Sequence, residues 1–217
     1  MNDLVAHTNP DGSIVAVRVG PDATMGARAT IGDDATLGIG AWVGPGATIG
    51  PGATIEDWAT IGERATIGER ATIGERAQAG DGVTIGDWAT IGERATIGAS
   101  ATIGARATIG DDATLGIGAW VGPGATIGGW ATVWDWAVIG ARARIGGRVR
   151  VEAWATICDD ATACEGVTIG ERATIGQRAT IGEWATIEDW ATIADGGAVP
   201  DGGTVGAWAI VDAVDAP

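Results

Sequence analysis

The sequence predicts an all-β protein built from very short, stacked strands. An aliphatic residue recurs every six positions, at 33 positions from Val19 to Val211, and only Ala79 and Ala163 are not Val, Ile, Leu or Met. A small residue, usually Ala, stands two positions earlier, and Thr usually lies between the two. A Gly follows most of these aliphatic residues. A period of six with so much Gly disfavours an amphipathic helix.

Each hexad, such as "ATIGER" at 65–70, is interpreted as one strand and one bend. In "ATI" the Ala and Ile side chains point to one side and the Thr side chain to the other, because strand side chains alternate. The Gly and the polar pair after it, such as Gly62, Glu63 and Arg64, are expected to supply the bend. Such a short strand is not stable alone. The hexads must therefore stack on one another to complete their hydrogen bonds and bury the Ile side chains.

The unit "IGERAT" resembles the hexapeptide-repeat proteins, whose units read aliphatic, small, any, any, small, any. The resemblance covers Val19 to Val211 without an insertion. It implies a left-handed parallel β-helix, a triangular prism with three hexapeptides per coil, about 11 coils and a length of roughly 50 Å. We expect 1–13 to form an N-terminal cap, 14–211 the β-helix and 212–217 a C-terminal tail, with an unpaired coil at each end of the prism.

The sequence also contains a repeat that is longer than the hexad. The segment Ala27–Gly50 occurs again, letter for letter, as Ala105–Gly128. The offset is 78 residues, or 13 hexads, which is not a multiple of three. The second copy is therefore predicted to lie one face further round the prism, and we interpret the duplication as sequence amplification.

Composition excludes some classes of function. All 13 basic residues are Arg, and the formal net charge is −15, which disfavours a nucleic-acid binder because such proteins need clustered positive charge. The start, "MNDLVAHTNPDGSIVAV", lacks the basic and apolar regions of a secretory signal. No apolar run is long enough to span a membrane. We expect no nucleic-acid partner and no membrane span, with the cytoplasm as the default location.

The family resemblance implies two known chemistries, acyl transfer with a His base and zinc-dependent carbonic anhydrase activity with three His ligands. This chain has one histidine, His7, which lies outside the repeat and is expected to be solvated. One imidazole cannot form a three-His zinc site, and the repeat carries no projecting loops to form a pocket. The sequence thus predicts a protein that is not an enzyme and binds no cofactor. Cys158 and Cys164, one hexad apart, are expected to be free thiols on adjacent faces.

Residues 18 apart should stack in columns, and three columns are candidate sites. The first is rich in Trp and is either a self-association edge or a self-packed cation–π stack. The second presents Thr and is either an ice-binding face or an ordinary strand surface. The third is acidic and is either an edge neutralised by Arg76 and Arg94 or a cation site. Their members are Trp136, Trp154, Arg172, Trp190 and Trp208; Thr36, Thr54, Thr72, Thr90, Thr108 and Thr126; and Asp57, Glu75, Glu93 and Asp111.

A cluster of basic residues is a further candidate surface. It comprises Arg142, Arg144, Arg148 and Arg150, with no acidic residue among them. The cluster could dock against an acidic edge of another copy, or it could be a solvated face.

Together these features predict a non-enzymatic scaffold that self-associates through flat Thr/Gly faces and Trp/Arg edges. The family resemblance implies side-by-side trimers, and end-to-end stacking into a filament is the other expected assembly. Ice binding by the Thr columns is the alternative. An acyltransferase-like activity is the weaker alternative, since it follows from family analogy alone.

Overall fold

The computed structural model describes residues 4–213, which form β-strands and turns without any helix. Residues 1–3 and 214–217 lie outside the described part, and with them the outer portions of the predicted cap and tail. Among the described residues no helix is long and apolar enough to cross a membrane.

Thirty-four strands follow one another within residues 4–213, and from the third onward each contains two residues. The first twelve are β1 (Leu4–Thr8), β2 (Ile14–Val19), β3 (Thr24–Met25), β4 (Thr30–Ile31), β5 (Thr36–Leu37), β6 (Trp42–Val43), β7 (Thr48–Ile49), β8 (Thr54–Ile55), β9 (Thr60–Ile61), β10 (Thr66–Ile67), β11 (Thr72–Ile73) and β12 (Gln78–Ala79). The next eleven are β13 (Thr84–Ile85), β14 (Thr90–Ile91), β15 (Thr96–Ile97), β16 (Thr102–Ile103), β17 (Thr108–Ile109), β18 (Thr114–Leu115), β19 (Trp120–Val121), β20 (Thr126–Ile127), β21 (Thr132–Val133), β22 (Val138–Ile139) and β23 (Arg144–Ile145). The last eleven are β24 (Arg150–Val151), β25 (Thr156–Ile157), β26 (Thr162–Ala163), β27 (Thr168–Ile169), β28 (Thr174–Ile175), β29 (Thr180–Ile181), β30 (Thr186–Ile187), β31 (Thr192–Ile193), β32 (Ala198–Val199), β33 (Thr204–Val205) and β34 (Ile210–Val211).

From β2 onward every third strand belongs to the same sheet, so the chain winds round three sheets of parallel strands. We call the 12-stranded sheet that begins β1-β2-β5 the first face. The second face is the 11-stranded sheet from β3 to β33, and the third face is the 11-stranded sheet from β4 to β34. This is the triangular β-helical prism of about 11 coils that the hexapeptide resemblance implies, and the predicted fold class is confirmed.

Hydrogen bonds between successive coils hold the prism together. In β10, Thr66 pairs in register with Thr48 of the coil before and Thr84 of the coil after, 18 residues away in each direction. The Thr66 N–H donates to the Val83 carbonyl at 2.7 Å, and the Gly68 N–H donates to the Ile85 carbonyl at 2.7 Å. Because the register is the same at every level, equivalent side chains form continuous columns along the prism.

The interior is a column of Ile and Ala side chains. Ile67 and Ala65 of one hexad are each no more than 1% exposed, and the other hexads of the middle coils repeat this burial. The Thr between them points outward, as the alternation of the strand requires. No aromatic side chain lies in this core, which extends from Val17 to Val205.

The residue that bends the chain at each turn is not the one that the sequence predicts. From Asp22 to Trp208 every sixth residue has a positive φ, between 53° and 71°, and most of these residues are Arg, Trp or Asp rather than Gly. In the turn Gly62–Ala65 the Ala65 N–H donates to the Gly62 carbonyl at 3.4 Å, with Arg64 in the left-handed region as in a type II turn. The second residue of the polar pair therefore makes the bend.

The Gly before each polar pair is needed for close approach. A Cβ added to Gly62 would lie 2.4 Å from the backbone carbon of Gly80 in the next coil. At Gly62 the turns of adjacent coils thus pack backbone to backbone, with no room for a Cβ. Trp134, Glu152 and Glu188 occupy the same column, and their N–H groups still bond to the next coil at 2.8–2.9 Å, so the coils stay in contact at these levels.

At the N-terminal end of the prism, residues before the repeat cover the first and third faces, as expected of a cap, whereas β3 remains the terminal strand of the second face. Strand β1 pairs antiparallel with β2 and extends the first face. Asn9, only 5% exposed, closes the third face: its Oδ1 accepts the Ile31 N–H and its Nδ2 donates to the Ile31 carbonyl, both at 2.9 Å. The side-chain amide replaces the neighbouring strand that a further coil would provide.

His7 departs from the expectation of a solvated side chain. It lies in β1 opposite Val15, and its Nε2 atom is buried without a hydrogen-bond partner. It is therefore part of the hairpin that extends the first face by one strand.

The two copies of the 24-residue repeat lie on different faces, as the offset predicts. Trp42 is in β6 on the second face, whereas Trp120 is in β19 on the third. Identical local sequence therefore meets different neighbours.

Substituting Gly62 by Ala tests the close approach of the coils. We expect Gly62→Ala to lower the free energy of unfolding by about 1–3 kcal/mol, because the added methyl overpacks the turn contact. Gly206→Ala is the matched control in the same column, since a Cβ there meets only Glu188 Oε2, at 3.9 Å. Thermal and denaturant unfolding of both variants decide the question, and equal losses would contradict the backbone contact as the cause.

Filling an undersized interior position tests the packing of the core. Ala163, 1% exposed, pairs with Ile145 and Ile181, so the Ile column is interrupted there. We expect Ala163→Ile to raise the free energy of unfolding by about 1–2 kcal/mol. Ile181→Ala in the next coil should lower it by about 2–5 kcal/mol. A destabilised Ala163→Ile protein would show that neighbouring side chains already fill this volume.

Candidate functional site

The predicted Trp column forms a nearly continuous stack along the edge between the second and third faces. The rings of Trp136 and Trp154 are stacked with centroids 5.7 Å apart, and those of Trp190 and Trp208 with centroids 4.8 Å apart. Between them the Arg172 guanidinium lies 4.8 Å from the Trp190 ring centroid. These contacts are the self-packed cation–π stack that the sequence allows.

The same indoles remain accessible at their outer edges. Trp190 is 41% exposed and Trp208 69% exposed, so each ring uses a face for its neighbour and leaves the rest in water. Aromatic stacking and cation–π contacts of this kind stabilise by roughly 0.5–1.5 kcal/mol each. The column is thus self-packed and exposed at once, and its role as a self-association edge stays a prediction.

Other Trp residues at the turns cover glycines of the preceding coil. A Cβ added to Gly40 would meet the Trp58 ring at 2.5 Å, and one added to Gly166 would meet the Trp184 ring at 2.4 Å. Each indole therefore lies flat against the edge instead of projecting from it. These rings shield the backbone at positions where a turn carries no side chain of its own.

The acidic column lies along the edge between the first and second faces, and its carboxylates already have partners. Asp57 Oδ1 accepts the Ile39 N–H at 2.7 Å, and Asp111 Oδ1 accepts the Glu93 N–H at 2.9 Å. Glu75 forms an ion pair with Arg76, and Glu93 forms one with Arg94. No group of three or more His, Cys, Asp or Glu side chains within residues 4–213 could hold a metal ion. The geometry is that of an edge neutralised by Arg, and the cation site stays an unsupported prediction.

Arg94 also binds the next coil. Its Nε and Nη2 donate to the two carboxylate oxygens of Asp112, both at 2.8 Å. This hydrogen-bonded pair lowers the pKa of Asp112 and raises the pKa of Arg94. A lowered carboxyl pKa stabilises the fold above the pKa of the unfolded chain, and this stabilisation is lost as the pH falls through the folded-state value.

The Thr column lies on the first face, as predicted, and consecutive members pair in register, as Thr72 does with Thr90. Arg18 precedes the column and Arg144 follows it. The neighbouring outward row carries Gly where a second rank of Thr would be needed to repeat the surface. These features do not support ice binding.

The basic cluster is largely neutralised within the chain. Arg142 donates to both carboxylate oxygens of Asp160, at 2.8 and 2.7 Å, and Asp160 has a lowered pKa chiefly because of this bond. Arg148 pairs with Glu165 at 2.9 Å, and Arg150 pairs with Glu152. Docking of this cluster on the acidic edge of another copy would have to replace these pairs.

The two cysteines are free thiols, as predicted, and both are half-buried. Burial is the main cause that raises the pKa of each thiol. Cys164 lines a depression of about 670 Å³ on the first face together with Thr126 and Arg144. A raised pKa lowers the fraction of each thiol that is present as thiolate, the reactive form.

One surface escaped the sequence prediction, namely the third face as a whole. The signal was present in the sequence, because the residues of one face can be collected by taking every third hexad. The turn columns and a single Thr row do not by themselves show how the three faces differ in charge. The third face carries Trp120 in β19 and Val138 in β22 as its central outward residues.

Comparison with known proteins supports the repeat assignment. A sequence model described as bacterial transferase hexapeptide (six repeats) matches residues 40–75 and 70–105. A second, described as the hexapeptide repeat of succinyl-transferase, matches residues 88–133 and 166–196. No curated protein matches the chain in sequence.

Solved structures with a similar fold include three UDP-N-acetylglucosamine acyltransferases. The Francisella novicida enzyme is 24% identical over 76% of this chain, with a TM-score of 0.46. The Moraxella catarrhalis enzyme is 16% identical over 89% of this chain and 70% of its own, with a TM-score of 0.41. The Bacteroides fragilis enzyme is 20% identical over 73% of this chain and 68% of its own, with a TM-score of 0.47. The match spans 64% of the length of the Francisella enzyme.

The two repeat models together match residues 40–133 and 166–196, which is more than half of the chain. Their matches coincide with the hexads that build the three parallel faces. The chain belongs to the hexapeptide-repeat family.

Proposed function

We propose that the protein is a non-enzymatic scaffold that associates with copies of itself along the sides of the prism. The observation that carries this proposal is the number of large apolar side chains left in water on a molecule whose core is already filled. Trp130, Trp184 and Trp208 are 64%, 59% and 69% exposed. Exposed apolar surface on this scale commonly marks an interaction site.

The cover over two of the three faces at the N-terminal end favours side-by-side contacts over end-to-end stacking. Strand β1 and Asn9 already bond to the first and third faces at this end. A second prism that continued the parallel first and third faces there would have to displace both. A filament built by simple continuation of the coils is thus disfavoured, while the sides of the prism remain open to contact.

The absence of catalytic activity is part of the same proposal. The acyltransferases that the family includes would need a general base beside a pocket. The one histidine of this chain has its Nε2 atom buried in the N-terminal hairpin. The residues that line the 670 Å³ depression on the first face include Thr and Arg side chains but no histidine.

Light scattering across a concentration series, with electron microscopy of the same samples, tests the proposal. We expect a mass above that of one 21.7 kDa chain that rises with concentration to a fixed multiple. Association should strengthen when salt is raised from about 0.05 to 0.5 M, because the chains carry a net charge of −15 and salt screens their repulsion. A strict monomer at every concentration and salt level would refute self-association.

The direction of the salt effect is an internal control. If the basic cluster docked on the acidic edge of another copy, added salt would weaken the contact. Weakening would therefore assign association to charged surfaces, and strengthening would assign it to uncharged ones.

A further inference from the structure

The third face is free of charge over almost its whole length. Its first outward row, from Thr30 to Ile210, contains eight Thr together with Trp120, Val138 and Ile210. Its second outward row, from Gly32 to Ala194, contains only Gly apart from Cys158 and Ala194. The one charged residue in these two rows is Asp212, which follows the last strand.

The other two faces carry charges in the same rows. Arg18, Glu56 and Arg144 lie on the first face. The second face presents Arg150 and Glu152, with Glu188 two coils further on. In a chain of net charge −15, an uninterrupted uncharged face is the surface on which two copies meet with the least repulsion and without burying a charge.

An apolar centre lies in the middle of the third face. Strand β19 is the sixth of its 11 strands. Trp120 in this strand is 38% exposed and pairs in register with Val138. Thr rows extend on both sides of this pair. Interfaces commonly place such an aromatic residue at their centre and polar uncharged residues around it.

The face is large enough for a stable interface. Eleven strands at about 4.8 Å and roughly four extended residues across give about 650 Å² per copy. Two copies would bury about 1,300 Å², within the range of specific protein interfaces.

We propose that two copies pair through their third faces about a two-fold axis near Trp120. In such a symmetric contact the same patch is used by both chains, so each Trp120 lies close to its counterpart. This inference rests on the proposed self-association and names the surface that performs it. The Trp column at the edge between the second and third faces is then a stabilising stack beside the interface.

The duplicated segment supplies a matched pair of variants. Trp120 and Trp42 lie in identical 24-residue sequences and are 38% and 39% exposed, but Trp42 is on the second face. Trp120→Arg buries an unpaired charge in the proposed contact, whereas Trp42→Arg places the same charge in water. Arg150 occupies the equivalent slot on the second face, so the fold accepts Arg there.

Sedimentation and light scattering of the full chain measure the outcome. We expect the wild-type protein to reach the mass of two chains, and Trp120→Arg to raise the dissociation constant at least about 30-fold. Trp42→Arg should change it less than about threefold. Circular dichroism during thermal unfolding confirms that both variants fold.

A second set of variants guards against misfolding of Trp120→Arg. Thr102, Thr108 and Thr114 occupy the same slot on the third, first and second faces of one coil. The variants are Thr102→Arg, Thr108→Arg and Thr114→Arg. Only Thr102→Arg should weaken pairing, because only Thr102 lies on the third face.

The remaining outcomes each contradict a different statement. A wild-type assembly that both Trp variants weaken equally, or that neither weakens, overturns the third face as the contact and leaves self-association standing. A mass of three chains overturns the two-fold pairing. A wild-type monomer under all conditions refutes the proposed self-association itself.

Discussion

The hydrogen bonds between coils, fixed at a register of 18 residues, are the constraint on which everything else depends. Strands of two residues cannot persist alone, and each net hydrogen bond stabilises by only about 0.5–1.5 kcal/mol. The fold therefore depends on their repetition at every level, from the Arg18 N–H bonded to Ala35 to the Ala194 N–H bonded to Val211. An added or missing hexad would move every later strand to another face. The hexads from Val19 to Val211 keep their period without an insertion, so the register is uninterrupted.

Because the register is invariant, much of the structure could be predicted from the sequence. The six-residue period predicts the strands, the interior column of apolar side chains and the rotation of the duplicated segment by one face. The period could not give the conformation of the turns, since the left-handed residue is Arg64 in one hexad and Trp58 in another, and neither type signals a positive φ. The clamp of Asn9 on Ile31 was equally hidden, because it joins a segment outside the repeat to a strand 22 residues away.

The candidate sites were predictable in position but not in contacts. Column membership follows from the 18-residue spacing, so the Trp, Thr and acidic columns lie where the sequence places them. The contacts that their side chains make depend on whether each one points toward the previous coil or the next one. Asp111 turns its carboxylate to the backbone of the previous coil, whereas Arg94 reaches Asp112 of the next one. Such choices follow from side-chain length and local geometry, and they convert apparent rows of like charge into neutralised edges.

The duplicated segment shows why the proposed association would depend on whole faces and not on local motifs. Around Trp42 and Trp120 the sequence is identical, and a motif-based contact would therefore use both. Their surroundings in space differ, because stacking places Thr24 and Thr60 beside Trp42 but Thr102 and Val138 beside Trp120. Only the second residue stands at the centre of an uncharged surface. In this solenoid the neighbours of a surface residue are the residues 18 positions before and after it. The specificity of a surface contact would therefore arise from the columns and not from the hexad itself.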